Sequence, residues 1–252
     1  MNGELSSFDE YISRCKPEQK DIYYLVAPSR ELALASPYLE TFEKSGIEVL
    51  LVYSAIDDFV MNNLTKFSGR NLVSAEKGGI DLSSDEEKEK DTEKDGDDKK
   101  EDEEKKLSEE DSIAFCHWFK SSLSEKVETC KITNRLGASP AVITDHESGA
   151  MRRMMRMVET QDGSTSHIPL AKQTVEINPK HPVILGLNDI REKEPHLAKV
   201  CAEQVFDNCL VAAGLLDDGR SMLPRLNNIL ESLVKGVDTV KVETPTEEKK
   251  DD

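Results

Sequence analysis

Asp21-Ile-Tyr-Tyr-Leu-Val-Ala27, Ser36-Pro37 and Gly46-Ile-Glu-Val-Leu-Leu51 are the stretch from which the fold is read. β-Branched and aromatic residues crowd the first run, so it reads as a buried strand. Ser36 suits a helix cap and Pro37 the first helical position, while Gly46 stands where that helix should stop. Glu48 to Tyr53 repeats the strand signal. Upstream, Phe8, Tyr11, Ile12 and Cys15 recur at helical spacing. Downstream, Ile56, Phe59, Val60, Asn63 and Leu64 mark another amphipathic helix, and Asn71 to Ala75 a third short strand. Strand and helix alternating over residues 1–80 predict a small αβα unit.

That unit ends at a change of composition. Asp85 to Lys106 holds no apolar residue and is almost wholly Asp, Glu and Lys. Residues 81–106 therefore read as a disordered charged linker, since burial there cannot offset the entropy of ordering. Residues 107–237 read as a second, α+β domain, and 238–252 as a disordered tail. Ser108 caps a helix with early acids and an apolar side formed by Ile113, Phe115, Cys116, Phe119 and Leu123. Glu128 to Asn134 and Ala141 to Thr144, with a turn at Gly137 to Pro140, read as a hairpin. Met151 to Val158 reads as a short Met- and Arg-rich helix and Gln173 to Ile177 as a strand. Three helices close the chain: His181 to Arg191, Leu197 to Ala213 and Ser221 to Val234. Ser221 is the expected cap of the last, which places Pro224 in its first turn, where the missing N–H costs little.

Leu197, Val200, Cys201, Gln204, Val205, Asn208, Val211 and Ala212 share one side of the penultimate helix. Met222, Leu226, Ile229, Leu230 and Leu233 share one side of the last. A helical hairpin hides only part of such faces. Either they pack on the preceding α/β layer, or they meet a second copy in a four-helix bundle.

The chain has 252 residues and a formal charge of 33 − 50 = −17. That field repels polyphosphate, which argues against nucleic acid or an anionic membrane as partner. No apolar run approaches the roughly 20 residues that span a bilayer. The first residues lack the pattern of a secretory signal or transit peptide. Five cysteines without CxxC spacing favour a reducing compartment. No glycine-rich phosphate loop, GxGxxG, HExxH or GxSxG occurs, so no metal or catalytic residue is expected and the chain reads as non-enzymatic by itself. Two features suggest binding. Met151, Met154 and Met155, interleaved with arginines, give an adaptable apolar face, whose alternative is ordinary core. Asp58 and Phe59 beside Asn62 place an aromatic at a helix edge, where core packing again competes.

Phe8-Asp-Glu-Tyr-Ile-Ser-Arg14, Gln19-Lys-Asp-Ile-Tyr-Tyr24, Ser36-Pro37, Gly46 to Leu51 and Ile56-Asp-Asp58 resemble the end of the middle domain in the 90-kDa heat-shock chaperone family. Leu107-Ser-Glu-Glu110, Trp118-Phe-Lys120, Arg135-Leu136, Ser139-Pro140, Glu176-Ile-Asn-Pro179 and His181-Pro182 are similar to its C-terminal dimerisation domain. The resemblance implies the C-terminal part of an ATP-dependent homodimeric chaperone for unfolded clients, with ATP and Mg held upstream of Met1 and no cofactor in this chain. It implies client contacts at Asp58, Phe59 and Asn62, where Phe stands in a position that tryptophan can take, and at Met151, Met154 and Met155. It also implies that the last two helices form the dimer bundle. The chain does not end in Met-Glu-Glu-Val-Asp, so no tetratricopeptide co-chaperone is expected there. Gly149 to Met157 looks closer to the mitochondrial branch, which implies the mitochondrial matrix, with plastid or bacterial cytoplasm as alternatives. The competing function is an acidic module whose charged linker holds basic proteins.

Overall fold

The computed structural model describes residues 5–80, 82, 105–149, 151–152, 154, 169–216 and 218–237. The charged linker, apart from residues 82, 105 and 106, and the tail lie outside that set. The chain divides into two units, residues 1–217 and 218–252.

The first unit begins with α1 (Phe8–Arg14), closed by a reciprocal capping box between Ser7 and Glu10. The strands β1 (Asp21–Val26), β2 (Leu50–Val52), β3 (Lys66–Phe67) and β4 (Arg70–Ser74) form a sheet of order β2-β1-β4-β3. β1 runs parallel to both neighbours, and β3 turns back antiparallel on β4. Between β1 and β2 the chain makes α2 (Arg30–Leu34), a 3-10 turn (Pro37–Leu39) capped by Ser36, and α3 (Glu40–Ser45). The expected stop holds: Gly46 takes the left-handed conformation, φ 59°, that a side chain disfavours. The sequence reading missed α2, whose N-cap is Ser29, and the two-residue β3.

β1 is buried along its middle four residues, so both faces of the sheet are covered. On one face Phe42 of α3 packs on Tyr23, ring centroids 4.8 Å apart. On the other the Tyr24 hydroxyl reaches Asn62 of α4 (Ala55–Leu64), which follows β2. Helices on both sides of a mostly parallel sheet give the expected αβα layering.

Past the linker, Ser108 caps α5 (Glu109–Ser122). The next strands are β5 (Val127–Ile132), β6 (Ala141–Thr144) and β7 (Gln173–Ile177). The expected hairpin does not form. The order is β5-β7-β6, with β7 parallel to β5 and antiparallel to β6, so Cys130 and Ile143 both pair with Val175 from opposite sides. The reason lies in β6, where all four residues are buried. A surface hairpin would alternate apolar with polar, whereas Ala-Val-Ile-Thr presents two faces that both need cover. Ile143 enters a core with Phe115, Phe119, Val175, Ile184 and Phe206. Val142 points the other way, into the Tyr23–Phe42 core, together with Leu136. β6 is thus the shared wall of two hydrophobic clusters drawn from either side of the linker.

A polar seam follows the same wall. The buried Arg135 guanidinium donates to the carbonyls of Ala75 (2.7 Å) and Lys77 (2.8 Å), lies 3.9 Å from Glu176, and sits 5.8 Å over the Tyr38 ring. The Tyr38 hydroxyl donates to Ile143 O at 2.5 Å. Glu40 accepts from the Gly137 and Ala138 amides and from the Ser139 hydroxyl.

α6 (Pro182–Ile190), capped by His181, and α7 (Pro195–Ala212) complete the unit. In the second unit, Asp218 rather than Ser221 is the cap. It opens a 3-10 turn, Gly219–Met222, and α8 (Leu223–Val237) then starts afresh with Pro224 as its second residue. The change of helix type keeps the proline in a first turn, where its missing N–H removes no helical hydrogen bond.

Candidate functional site

α4 begins at the Ser54 cap and carries apolar residues at 56, 59, 60 and 64, the spacing of one helix face. That face would ordinarily cover the sheet. Here it points to solvent: Ile56 is 66% and Phe59 56% exposed, with Val60 and Leu64 beside them. The side turned inward is polar. Asp58 is 4% exposed, its Oδ1 accepts from Asn62 Nδ2 (3.1 Å), and Asn62 Oδ1 accepts from the Tyr24 hydroxyl (3.3 Å). Asp58 Oδ2 is buried without a hydrogen-bond partner. Burial, followed by the charges of Asp58 and Glu76, pushes the Tyr24 hydroxyl up to about 12, so it remains a donor. Asp58 and Asn62 therefore act through each other to hold the helix with its apolar side outward, and Phe59 is not core. Sequence spacing alone cannot tell which side of such a helix faces the sheet. The polar triplet Tyr24, Asp58 and Asn62 becomes informative only once β1 and α4 are placed together.

The methionine segment starts at Ser148, whose side chain accepts from the Met151 amide and whose carbonyl accepts from the Arg152 amide. Gly149 has no room for a side chain, since a Cβ there would stand 2.8 Å from the carbonyl oxygens of Ala213 and Gly214. This contact fixes the segment against the end of α7. Met151 is half-buried, Met154 is exposed, and Met155 lies outside the described residues. The basic side is not all solvated, because Arg152 is buried and paired with Glu147. His146, five residues before Met151, feels the Asp58 charge and touches Tyr38 (3.3 Å).

The expected dimer residues divide by exposure. On α7, Val205 belongs to the unit's own core and Gln204 is buried, donating to the exposed Asn208 at 2.9 Å. Val200 and Ala212 are half-buried, and Val211 is open. In the second unit Met222 is buried and Leu226 and Ile229 are half-buried, whereas Leu230 and Leu233 are 58% and 62% exposed. Leu223 and Val234 add to that uncovered stripe. Among the described residues no three His, Cys, Asp or Glu side chains stand together as a metal site would require, and no helix is long and apolar enough to cross a membrane.

The family model described as Hsp90 protein matches residues 1–252. The TNF receptor-associated protein 1 homolog, mitochondrial, of Dictyostelium discoideum is 42% identical over 231 residues, 90% of this chain and 30% of the relative. The heat shock protein 75 kDa, mitochondrial, of Rattus norvegicus is 37% identical over 90% of the chain and 31% of its own length. Chaperone protein HtpG of Desulfitobacterium hafniense is 37% identical over 92% of the chain and 35% of its own length. The chain therefore spans about a third of the relatives it matches.

Proposed function

The chain belongs to the Hsp90 protein family, and on that premise we propose that it supplies the client-contacting and homodimerising part of an ATP-dependent chaperone for unfolded proteins. The observation that carries the client reading is the outward apolar face of α4. A soluble helix normally buries its apolar stripe, and one whose inner side is instead held by the buried Asp58 and its hydrogen bond to Asn62 is a surface kept for a partner. Unfolded segments offer matching apolar side chains without a fixed shape, and Phe59, Met151 and Met154 accommodate varied ones.

ATP hydrolysis is assigned to the whole protein, with the nucleotide and Mg held outside this sequence. The address proposed is the mitochondrial matrix, supported by the mitochondrial names of two relatives. The bacterial relative fits a bacterial cytoplasm equally well.

The test is suppression of aggregation. A globular protein diluted from urea should scatter less light with the chain present. Phe59→Ser/Val60→Ser should weaken that effect several-fold while leaving the circular dichroism spectrum unchanged, and deleting residues 85–106 should not. If instead the deletion or raised salt abolishes the effect and the α4 variant retains it, the acidic-linker reading replaces this one.

A further inference from the structure

Two of the five cysteines meet. Cys116 lies on α5 between the buried Phe115 and the half-buried Trp118, at the margin of the helix face that packs on the sheet. Cys130 lies on β5, the strand that follows, and packs against the same core. A tight turn, in which the Lys126 and Val127 amides both donate to Leu123 O, folds the strand back along the helix. The packing of this helix and strand brings both side chains to one groove. Both line an open groove of about 400 Å³, with His117, Lys120 and Lys131 around it.

The pair is asymmetric. The neighbouring Cys130 thiol favours the thiolate of Cys116 and holds its pKa below that of an ordinary thiol. Sharing that proton, and then burial, push Cys130 up. The other three lack such a partner thiol. Desolvation raises Cys15 and Cys201, and burial pushes Cys209 up to about 12. Reactivity toward peroxides follows the thiolate fraction and access, and the groove supplies access to Cys116.

We propose that Cys116 and Cys130 form a peroxide-sensitive dithiol, with Cys116 as the attacking and Cys130 as the resolving thiol, that closes into a disulfide tying α5 to β5. In the first step the Cys116 thiolate attacks one oxygen of a hydroperoxide. The S–O bond forms as the O–O bond breaks, and the departing oxygen leaves with a proton as alcohol or water. Cys116 is then a sulfenic acid, oxidised by two electrons, and the peroxide is reduced by two. In the second step Cys130 loses its proton and its sulfur attacks Cys116 sulfur. The S–S bond forms, the S–O bond breaks, and hydroxide leaves with that proton as water. Two thiols and one hydroperoxide give one disulfide, one alcohol and one water.

The experiment treats the reduced, purified chain with a small excess of hydrogen peroxide, alkylates the remaining thiols and maps the peptides without reduction. The expected product is a cross-link between the Cys116 and Cys130 peptides, with Cys15, Cys201 and Cys209 alkylated. Cys116→Ser should abolish it and leave Cys130 a free thiol. In Cys130→Ala, Cys116 should stop at a sulfenic acid captured by dimedone, and its alkylation at neutral pH should slow several-fold. A disulfide between other cysteines or between chains would overturn the proposal, as would Cys116 surviving while others oxidise. The peptide map of the wild-type chain decides the matter even if a variant fails to fold.

Discussion

Arg135 is the residue whose loss should be felt most. Its guanidinium is nearly inaccessible, donates to two backbone carbonyls and offsets the buried Glu176 carboxylate. Arg135→Met keeps the length but leaves Glu176 buried opposite no cation. We expect a loss of about 3–5 kcal/mol in urea denaturation, partly restored by adding Glu176→Gln. His146 gives a pH signature. Burial lowers its pKa below 6.5, and its ring faces two oxygens, Glu147 O (2.7 Å) and Tyr38 Oη (3.3 Å), with one N–H to offer when neutral. The unfolded chain takes up the proton near 6.5 and the folded chain only below it, so the folded state loses ground as pH falls between those values. Wild type should therefore lose stability relative to His146→Gln below pH 6.5, by at most about 1.4 kcal/mol per pH unit, measured as urea midpoints from pH 7 downward. A parallel decline in both proteins would show that His146 does not couple to folding.

At the scale of elements, two glycines make a controlled contrast. Gly149→Ala drives a methyl group into the carbonyls at the end of α7 and should cost about 1–3 kcal/mol. Gly186→Ala, inside α6 with nothing within 4 Å of the added carbon, should be neutral or stabilising by about 0.5–1 kcal/mol. Chemical denaturation of both variants checks the sign. Elements whose signal is local were legible in the sequence: the Ser36–Gly46 helical stretch, the Ser108 cap, β1 and the long α7. Pairing was not. β5 and β6 are each readable as strands, but their separation by β7 depends on what covers Val142 and Ile143, which is a tertiary fact. The same limit governs α4, where periodicity located the stripe and only the burial of Asp58 showed its direction. Arg135 lies in a run that resembles the family, with nothing in its neighbours to mark it as buried. The cysteines looked unremarkable because positions 116 and 130 have no motif spacing, and a helix-to-strand turn is what joins them.

At the scale of the molecule, the uncovered stripe of α8 gives the oligomer prediction. Light scattering after size exclusion should return about twice the 28.2 kDa of one chain, falling to one chain in Leu226→Asp/Leu230→Asp. A monomer at every concentration for the wild type would refute dimerisation through this helix. The β5-β7-β6 order also bears on how the molecule comes into being. A ribosome releases β5 and β6 before the strand that belongs between them, and 28 residues separate Thr144 from Gln173. During that interval two strands with apolar faces have open edges and no legitimate neighbour, the condition under which nascent chains stick to one another. β7 then has to enter between them, so the second core is sealed late by a long-range pairing rather than zipped from a local turn. A chain built this way stays exposed to aggregation for as long as it is being made.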